Sequence, residues 1–410
     1  MAPLNVLICG GGCGGPALAF WLARSGHHVT IVERFSSLRA AGAQIDLRSK
    51  GIEVVKRMGI IDAVRSKLVH EEGTSFVDAQ NRDKATVMAN TSGAGSQTLT
   101  SEYEIMRGDL VQILYDATKS DVKYVFGVSV DRFEQFEDHV LVHFSDGRSE
   151  TFDLLVGADG QGSRIRKAIL PANTPEPYNR LGIYFAYWFV PRTEMDTNIC
   201  KIYHTTGSRA VMTRSHNEAD TQVYFATKDD SEELRSIPRA PIEQQKEFWA
   251  QRFSGAGWHT DRFIQGMKDS SFFYCQELVQ VKADTWYKGR VVLLGDAGYC
   301  PSPVTGMGTT ASFVGAYVLA GEISRNPQNL SEALANYEKT LRPFVNEIQG
   351  INKTVIRSVF PQTQLGISIL HFIAGLVCFL RIPELFAKYE SNDKGGDWDL
   401  PDYPELKYNQ

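Results

Sequence analysis

Residues 4–24 have the sequence LNVLICGGGCGGPALAFWLAR, in which an apolar run leads into a cluster of glycines and a second apolar stretch. The run from Leu4 to Cys9 is typical of a buried strand, and Pro16 to Arg24 has the apolar spacing of a helix. A further strand-like run extends from His28 to Val32. This order of strand, turn, helix and strand predicts a βαβ unit within a parallel sheet.

The glycine cluster contains the pattern G-x-G-x-x-G at Gly10, Gly12 and Gly15. In such a turn the first glycine permits the tight bend, the second lets a pyrophosphate approach the backbone, and the third allows close helix packing. Glu33 follows 21 residues after Gly12, at the end of the second strand, where a carboxylate accepts hydrogen bonds from ribose hydroxyls. The pattern predicts a dinucleotide site, and with Arg34 beside Glu33 it leaves FAD and NADPH as alternatives.

Two later segments also end an apolar run with a glycine–acid pair, TFDLLVGADG at 151–160 and GRVVLLGDAG at 289–298. We therefore expect three separated pieces of the chain to build one parallel sheet. Asp296 is placed to bind a flexible polyol such as a ribityl chain, and Pro301 turns the chain. Gly306 and Gly308 precede a predicted helix whose N-terminal amides would face the pyrimidine side of a flavin. These motifs favour FAD.

The middle segment DLLVGADGQGSRIR, with Asp159 and Gly160 between Asp153 and Arg166, closely resembles the Asp-Gly motif of class A flavoprotein monooxygenases of the para-hydroxybenzoate hydroxylase type. The resemblance covers about residues 4–350 and rests on three motifs in the same order. Within that family the chain is most similar to tetracycline-inactivating monooxygenases and related natural-product tailoring hydroxylases. The resemblance implies a Rossmann-like FAD-binding domain, a substrate domain built on an antiparallel sheet, and a C-terminal helical segment.

The resemblance also implies roles for single residues. Glu33 and Arg34 would bind the adenosine half of FAD, and Arg107 would contact the diphosphate or ribityl region. Asp296 would hold the ribityl chain, while Asp159 would support FAD and shape the groove for the nicotinamide donor. Arg107 also has a plain interpretation as a surface charge at a helix N-terminus.

The chain departs from the family pattern at two places. Many relatives have Gly-Asp-Ala-Ala-His where this chain has Gly-Asp-Ala-Gly-Tyr at 295–299, and Thr310 replaces a frequent asparagine. These departures concern the pocket near the flavin ring rather than FAD binding itself.

By resemblance, NAD(P)H would reduce FAD, O₂ would add at flavin C4a, and the hydroperoxide would hydroxylate or epoxidise an aromatic or polycyclic small molecule. Water must be excluded from such a site, and we expect a sheet rich in aromatic residues to cover the substrate pocket. The candidate pocket residues, each equally interpretable as ordinary sheet core, are Tyr184, Tyr187, Trp188, Tyr203 and Phe225. No general base is assigned, because His204 and His216 are interpreted as surface or satisfied core residues.

The predicted class is α/β, with an FAD-binding domain assembled from three separate stretches of the chain. We expect these FAD-binding stretches at 1–72, 106–170 and 286–350. Between the first two lies a substrate-domain excursion or loop at 73–105, and between the last two lies the substrate domain at 171–285. A C-terminal helical segment and tail would occupy 351–410.

The composition restricts the classes of binding partner that we expect for this chain. A net charge of −5 and a pI near 6.0 argue against nucleic acid, and six scattered cysteines without metal spacing indicate reduced thiols and no metal. With no secretory signal visible, we expect a cytoplasmic protein. Residues Leu365 to Leu380 carry no residue charged at neutral pH and predict a packed helix, with peripheral membrane contact or a dimer face as alternatives.

Two other functions stay open at this point. YWFVP at 187–191 is a weak sign of a flavin-dependent halogenase, since the full Trp-x-Trp-x-Ile-Pro pattern is missing. A non-enzymatic flavoprotein that sequesters a hydrophobic ligand is the other alternative. Chloride-dependent product would favour the first, and failure of NADPH to bleach the flavin would favour the second.

Overall fold

The structure, a computed structural model, describes residues 3–38, 42–89, 102–380 and 398–406. The strands, in chain order, are β1 (Asn5–Cys9), β2 (His28–Glu33), β3 (Gln44–Asp46), β4 (Gly73–Val77), β5 (Asp83–Met88), β6 (Glu104–Met106), β7 (Val122–Phe126), β8 (Val130–Gln135), β9 (Val140–Phe144), β10 (Ser149–Phe152), β11 (Leu154–Gly157), β12 (Tyr178–Pro191), β13 (Ile199–Thr205), β14 (Arg209–Ser215), β15 (Asp220–Lys228), β16 (Phe273–Val281), β17 (Tyr287–Lys288) and β18 (Val291–Leu293). The helices are α1 (Gly14–Arg24), α2 (Lys50–Arg57), α3 (Ile61–Arg65), α4 (Arg107–Asp116), α5 (Arg164–Ile169), α6 (Glu232–Ser236), α7 (Ile242–Phe253), α8 (Thr260–Asp269), α9 (Asp296–Tyr299), α10 (Gly308–Arg325), α11 (Leu330–Ile348), α12 (Lys353–Ser358) and α13 (Gln364–Phe379).

A six-stranded sheet in the order β17-β18-β11-β1-β2-β7 forms the first layer. Its neighbours pair in parallel except for β17 and β18. Strands β1, β11 and β18 are the three apolar runs that end in glycine motifs, so the predicted three-piece parallel sheet is confirmed. Because helices cover parallel sheets on both faces, Val6, Leu7 and Ile8 are wholly buried.

The helices α1 and α10 pack together over this sheet. Both are rich in small and apolar residues, and α10 is buried from Phe313 to Ile323. The described tail, residues 398–406, returns to α10: Tyr403 donates a hydrogen bond of 2.6 Å to Glu322, and a Cβ at Gly321 would collide with its ring. Within the described part of the predicted C-terminal helical segment, α12 and α13 are helical.

The second layer is a seven-stranded sheet in the order β16-β12-β15-β14-β13-β4-β5. Its pairs are antiparallel except that β4 lies parallel to β13, so the sheet is mostly antiparallel, as predicted. Hairpin connections force antiparallel pairing, but β4 and β13 come from distant regions of the chain and are free of that constraint. The Ser/Gly/Thr-rich stretch predicted as a loop at 91–98 lies outside the described residues.

Two small sheets complete the described structure. Strands β8, β9 and β10 form an antiparallel sheet within 106–170, and β3 pairs with β6 between the two large sheets. The domain boundaries themselves stay predictions. Among the described helices, none has the length and apolar character needed to cross a membrane.

Candidate active site

The glycine turn after β1 leaves no room for side chains. Gly10 has a φ of +119°, a conformation that favours glycine, and a Cβ there would collide with the carbonyl of Ala158. A Cβ at Gly15 would collide with the carbonyl of Gly10, so α1 packs directly against the turn. At Gly12 the nearest atom to a Cβ would be a guanidinium nitrogen of Arg107, at 3.1 Å. The backbone at Gly12 therefore lies beside the guanidinium group of Arg107.

Glu33 lies at the end of β2 and is bound to this turn. Its carboxylate accepts hydrogen bonds from the backbone N–H of Gly11 at 2.8 Å and of Phe35 at 3.1 Å. Arg34 lies outside, exposed, with its guanidinium 5.0 Å from the centre of the Phe35 ring. The structure thus brings Glu33 to the glycine turn and leaves Arg34 beside it on the surface.

Arg107 is the first residue of α4, and its side chain connects several regions of the site. Its stem packs on Gly42, where a Cβ would lie 2.9 Å from the Arg107 Cβ. Burial raises the pKa of the Cys13 thiol, and a hydrogen bond and the charge of Arg107 oppose that rise. A cation between the glycine turn and Asp296 fits the diphosphate of a dinucleotide.

Two carboxylates follow neighbouring strands of the parallel sheet, Asp159 after β11 and Asp296 after β18. Asp159 Oδ2 accepts the backbone N–H of Arg164 at 2.7 Å, whereas its Oδ1 is buried and has no partner within the described chain. Asp296 Oδ1 is likewise buried without a described partner. Burial raises the pKa of Asp296, and the Cys300 thiol and Arg107 oppose that rise. Such orphaned acceptors fit the hydroxyl groups of a polyol.

The loop from Pro301 to Gly308 leads into α10. Gly306 has a φ of +65°, and a Cβ there would lie 2.9 Å from Asp46 Oδ2. No acidic residue lies in the first turn of α10 and no side chain caps its N-terminus, so its amides are available to an anionic ring. A Cβ at Gly308 would lie 3.8 Å from Asp296 Oδ1, which places the orphaned carboxylate oxygen at this helix end.

Several contacts at the site were missed in the sequence. Arg166 is fully buried and donates to the carbonyls of Gln161 at 2.7 Å and Ala297 at 2.8 Å, which joins the Asp159 loop to the Asp296 loop. Its place directly after the Asp-Gly motif was the available signal. Asp46 and Arg48 form an ion pair of 3.1 Å beside the Gly306 loop.

The two departures from the family pattern have local partners. Thr310 Oγ1 accepts the backbone N–H of Arg48 at 3.0 Å and donates to its carbonyl at 3.2 Å. The hydroxyl of Tyr299 lies 2.8 Å from that of Tyr337, and a Cβ at Gly315 would collide with it. Gly315 and Tyr337 therefore accommodate a tyrosine at this position.

The five predicted pocket aromatics divide between the two faces of the seven-stranded sheet. Tyr187 lies on the inner face, toward β3, whereas the other four pack in the outer core with α7 and α8: Tyr184, Trp188, Tyr203 and Phe225. Of the two interpretations left open for each residue, ordinary sheet core therefore fits these four, and Tyr187 stays a candidate for the pocket. Side chains alternate along a strand, so neighbours such as Tyr187 and Trp188 point to opposite faces.

The inner face carries a cross-strand row formed by Phe76, Ile202, Met212, Tyr224, Tyr187 and Tyr274. Four of these are only half-buried: Phe76, Ile202, Met212 and Tyr274. Tyr187 is wholly buried and stacks on Tyr224 with ring centres 4.6 Å apart. The row forms an apolar and aromatic surface that the described residues cover only incompletely.

A buried polar network joins one margin of this face to β3 and β6. Arg214 donates to Glu71 at 2.8 Å and to Glu104 at 2.6 Å, and the two carboxylates raise its pKa against the opposing effect of burial. Gln44 of β3 donates to Glu104 and accepts from the side chain of Gln222 at 2.8 Å. The inner face and the FAD-side strands β3 and β6 are therefore joined by hydrogen bonds.

The same network fixes two tyrosine hydroxyls. Gln222 Nε2 donates to Gln44 and Ser215, so its Oε1 is left to accept from Tyr224 at 3.0 Å and from Tyr187 at 3.3 Å. Burial raises the pKa of both tyrosines, which keeps them protonated. The Tyr187 hydroxyl also lies 3.3 Å from the carbonyl of Gly42, which packs on Arg107.

Comparison with known proteins agrees with this geometry. A family model described as "FAD binding domain" matches residues 3–349. The chain belongs to this family. The FAD-dependent monooxygenase asL4 of Sarocladium schorii is 39% identical over 428 residues, covering 99% of both chains. The flavin-dependent monooxygenase eupH of a Phoma species is 38% identical and covers 98% of both.

Solved structures give the same assignment. The tetracycline destructase Tet(51) superposes with a TM-score of 0.78 at 30% identity, covering 98% of this chain and all of the other. Klebsiella pneumoniae HpxO, solved with FAD and uric acid, shares the fold with a TM-score of 0.73 at 18% identity. This member of the FAD binding domain family is an FAD-dependent monooxygenase, and the glycine cradle and orphaned carboxylates of its own chain fit that cofactor.

Proposed function

We propose that the chain transfers one oxygen atom from O₂ to an aromatic or polycyclic small molecule held against the inner face of the seven-stranded sheet. When bound, FAD takes electrons from NAD(P)H and activates O₂. The observation that carries the proposal is the half-buried row at Phe76, Ile202 and Met212, which is linked through Gln222 and Gln44 to the FAD-side strands.

The chain's own residues have separate tasks in this proposal. Arg107 neutralises the diphosphate, Glu33 binds the adenosine ribose, and Asp296 accepts hydrogen bonds from the ribityl hydroxyls. Asp159 supports FAD beside the nicotinamide groove. The amides at Gly308 stabilise negative charge on the reduced ring.

Water exclusion is the task of the sheet and the helices around it. Tyr187 and Tyr224 close the margin near Gly42, and α12 covers the other end, where Ile356 packs against Ile183 and Leu278. A dry pocket matters because water would release the activated oxygen as peroxide before transfer.

The test of the proposed function starts with the yellow holoenzyme and NADPH without oxygen. We expect the flavin bands to bleach, and a screen of aromatic compounds with oxygen to yield a product heavier by one oxygen atom. A chlorinated product would indicate a halogenase instead. No bleaching with any compound would favour ligand sequestration.

Gly15→Ala tests whether the glycine turn after β1, Gly10 to Gly15, binds FAD. We expect purified Gly15→Ala to lack FAD, because its Cβ collides with the carbonyl of Gly10. Gly59→Ala is the control for a glycine replacement away from the site, since nothing lies within 4 Å of its Cβ position even though its φ of +72° is unfavourable for alanine. Gly59→Ala should retain FAD in equal molar amount. Full FAD content in Gly15→Ala, measured by flavin absorbance, would contradict the proposed cradle.

The apolar segment Leu365 to Leu380 coincides with α13, and its outer side is uncovered within the described chain. Leu365 and Phe379 are 71% and 82% exposed, and the exposed apolar residues recur at spacings of three and four. We propose that this side is a contact surface, for a second copy or for a membrane. Sedimentation velocity with and without lipid vesicles separates the two, and Phe372→Glu should abolish either contact.

A further inference from the structure

Two histidines meet on the inner face, at the end opposite the polar network. His204 of β13 is 3% exposed, and its ring stacks on Phe76 with centres 5.8 Å apart. His371 of α13 lies edge-on to His204, also at 5.8 Å, and 6.3 Å from Phe76. Phe76 belongs to the half-buried row, so the histidine pair borders the proposed pocket.

The hydrogen bonds of His204 define what its ring can do. The ring donates to the backbone carbonyl of Val359, between α12 and α13, whereas Nδ1 is buried and has no partner in the described chain. Burial lowers the pKa of His204 to about 4, so the ring is neutral at pH 7. A neutral imidazole that donates through one nitrogen is an acceptor at the other.

The second ring repeats this arrangement. His371 Nε2 is also buried without a partner among the described residues, and burial lowers the pKa of His371. The charged groups nearest to His371, Asp78 and Lys84, form an ion pair with each other at 2.9 Å. Among the described residues, the charged groups that act on His371 are therefore already paired with each other.

Buried polar atoms without partners are unfavourable and rare, and here two of them belong to neighbouring rings whose centres are 5.8 Å apart. A ligand group that donates a hydrogen bond and carries no charge would satisfy His204 Nδ1. A carboxylate or phenolate offers no proton and would be repelled by a lone pair.

We propose that His204, supported by His371, is the polar subsite of the substrate pocket and binds a neutral hydroxyl group of an aromatic or polycyclic substrate. The proposal rests on the function proposed above and narrows its substrate class. Phe76 would contact the ring that carries this hydroxyl.

The test measures binding to the oxidised holoenzyme and needs no turnover. The probes are 2-hydroxyanthraquinone and 2-methoxyanthraquinone at pH 6.5, titrated while the flavin absorbance is followed. The native protein should bind the hydroxy probe roughly tenfold more tightly, which corresponds to one good hydrogen bond. His204→Phe should bind both probes equally, and His204→Asn, whose amide oxygen replaces Nδ1, should retain the preference.

Equal affinity in the native protein, including failure to bind either probe, would overturn the subsite. So would a preference that persists in His204→Phe, because it would then come from the bulk of the methyl group. If His204→Phe does not retain FAD, His371→Phe serves instead, with a smaller loss of preference expected. His143→Phe is the control and should behave as the native protein, because His143 lies on β9 in the three-stranded sheet and not in the seven-stranded one.

The two proposals fail in different ways. Loss of the hydroxyl preference with normal NADPH bleaching removes the subsite alone. Absence of bleaching, with the preference intact, removes the oxygenase function and keeps the binding site.

Discussion

The two faces of the seven-stranded sheet are filled differently. On the outer face Trp188 and Phe225 are wholly buried under α7 and α8, and the Phe225 ring stacks on that of Phe253 of α7 at 4.1 Å. On the inner face Ile202 and Met212 are half-buried. Polar networks border the inner row, whereas the outer core is almost entirely apolar.

This difference separates residues that hold the sheet together from residues that are available to a ligand. Protein interiors pack to a uniform density, so an apolar row that the described residues leave half-covered is unusual within a domain interface. The outer face has its partners in its own helices. The inner face has side chains that the described residues leave partly exposed, which is the property expected of a binding surface.

Removing one large side chain from each face should show the contrast directly. Trp188→Ala is expected to lower the free energy of unfolding by about 3–5 kcal/mol, because it leaves a large cavity in the outer core. Met212→Ala should cost about 1 kcal/mol or less, since Met212 is half-buried, yet it should change the affinity for aromatic probes. Denaturant titration of both holoenzymes measures the first effect, and flavin difference spectra measure the second.

A similar loss of stability in the two variants would remove the distinction between the faces. The distinction would also be lost if Trp188→Ala altered probe binding more than Met212→Ala in protein that retains full FAD.

The sequence was informative where a function is encoded by one short segment. Gly10, Gly15 and Glu33 could be predicted because a tight turn, a close helix packing and a strand end each leave a local signature. The same holds for Asp296, which follows an apolar strand and precedes glycines. Fold class and cofactor followed from these segments.

The seven-stranded sheet was less predictable, because the face on which a side chain lies depends on the register of its strand. Trp188 and Tyr187 are neighbours of equal aromatic character, and nothing in their composition tells which one faces the cofactor side. Pairs such as Gln44 and Gln222 are 178 positions apart, and their contact exists only after two sheets have met. The parallel pairing of β4 with β13 has the same origin.

A smaller effect is expected from the polar margin of the inner face. Gln222→Leu would remove the partner of Gln44 Oε1, of the Ser215 carbonyl and of the Tyr224 hydroxyl, and would leave Tyr187 with the Gly42 carbonyl, at a cost of about 2 kcal/mol in unfolding free energy. Thr221→Val is the matched control on the adjacent position. Thr221 Oγ1 is buried without a partner in the described chain, so its removal should cost nothing or stabilise slightly.

Denaturant titration of the two variants gives the answer. If Thr221→Val were as damaging as Gln222→Leu, the loss would reflect packing at this strand rather than the hydrogen bonds that join the sheet to β3.

The smallest expected effect is the pH dependence of probe binding at His204, on the end of the inner face opposite the polar network. An imidazole in water is protonated below a pKa near 6.5, whereas burial holds the pKa of His204 at about 4. The unprotonated ring is the acceptor, so the roughly tenfold preference for 2-hydroxyanthraquinone should persist from pH 7 to pH 5 and vanish as pH falls through 4. Asp78 and Lys84 stay ion-paired beside His371 over most of this range. Burial would raise the pKa of Asp78, but hydrogen bonds with Lys84 and Arg82 lower that pKa by more.

The measurement is the ratio of the two probe affinities at several pH values, with the flavin spectrum confirming that FAD stays bound. Because folding depresses the His204 pKa, the folded protein resists protonation in the window between 6.5 and 4 and loses stability as pH falls through it. A preference that disappeared near pH 6.5 would mean a ring in contact with water. The inner face would then be open at this end, and its contrast with the sealed outer core would extend to the histidine pair itself.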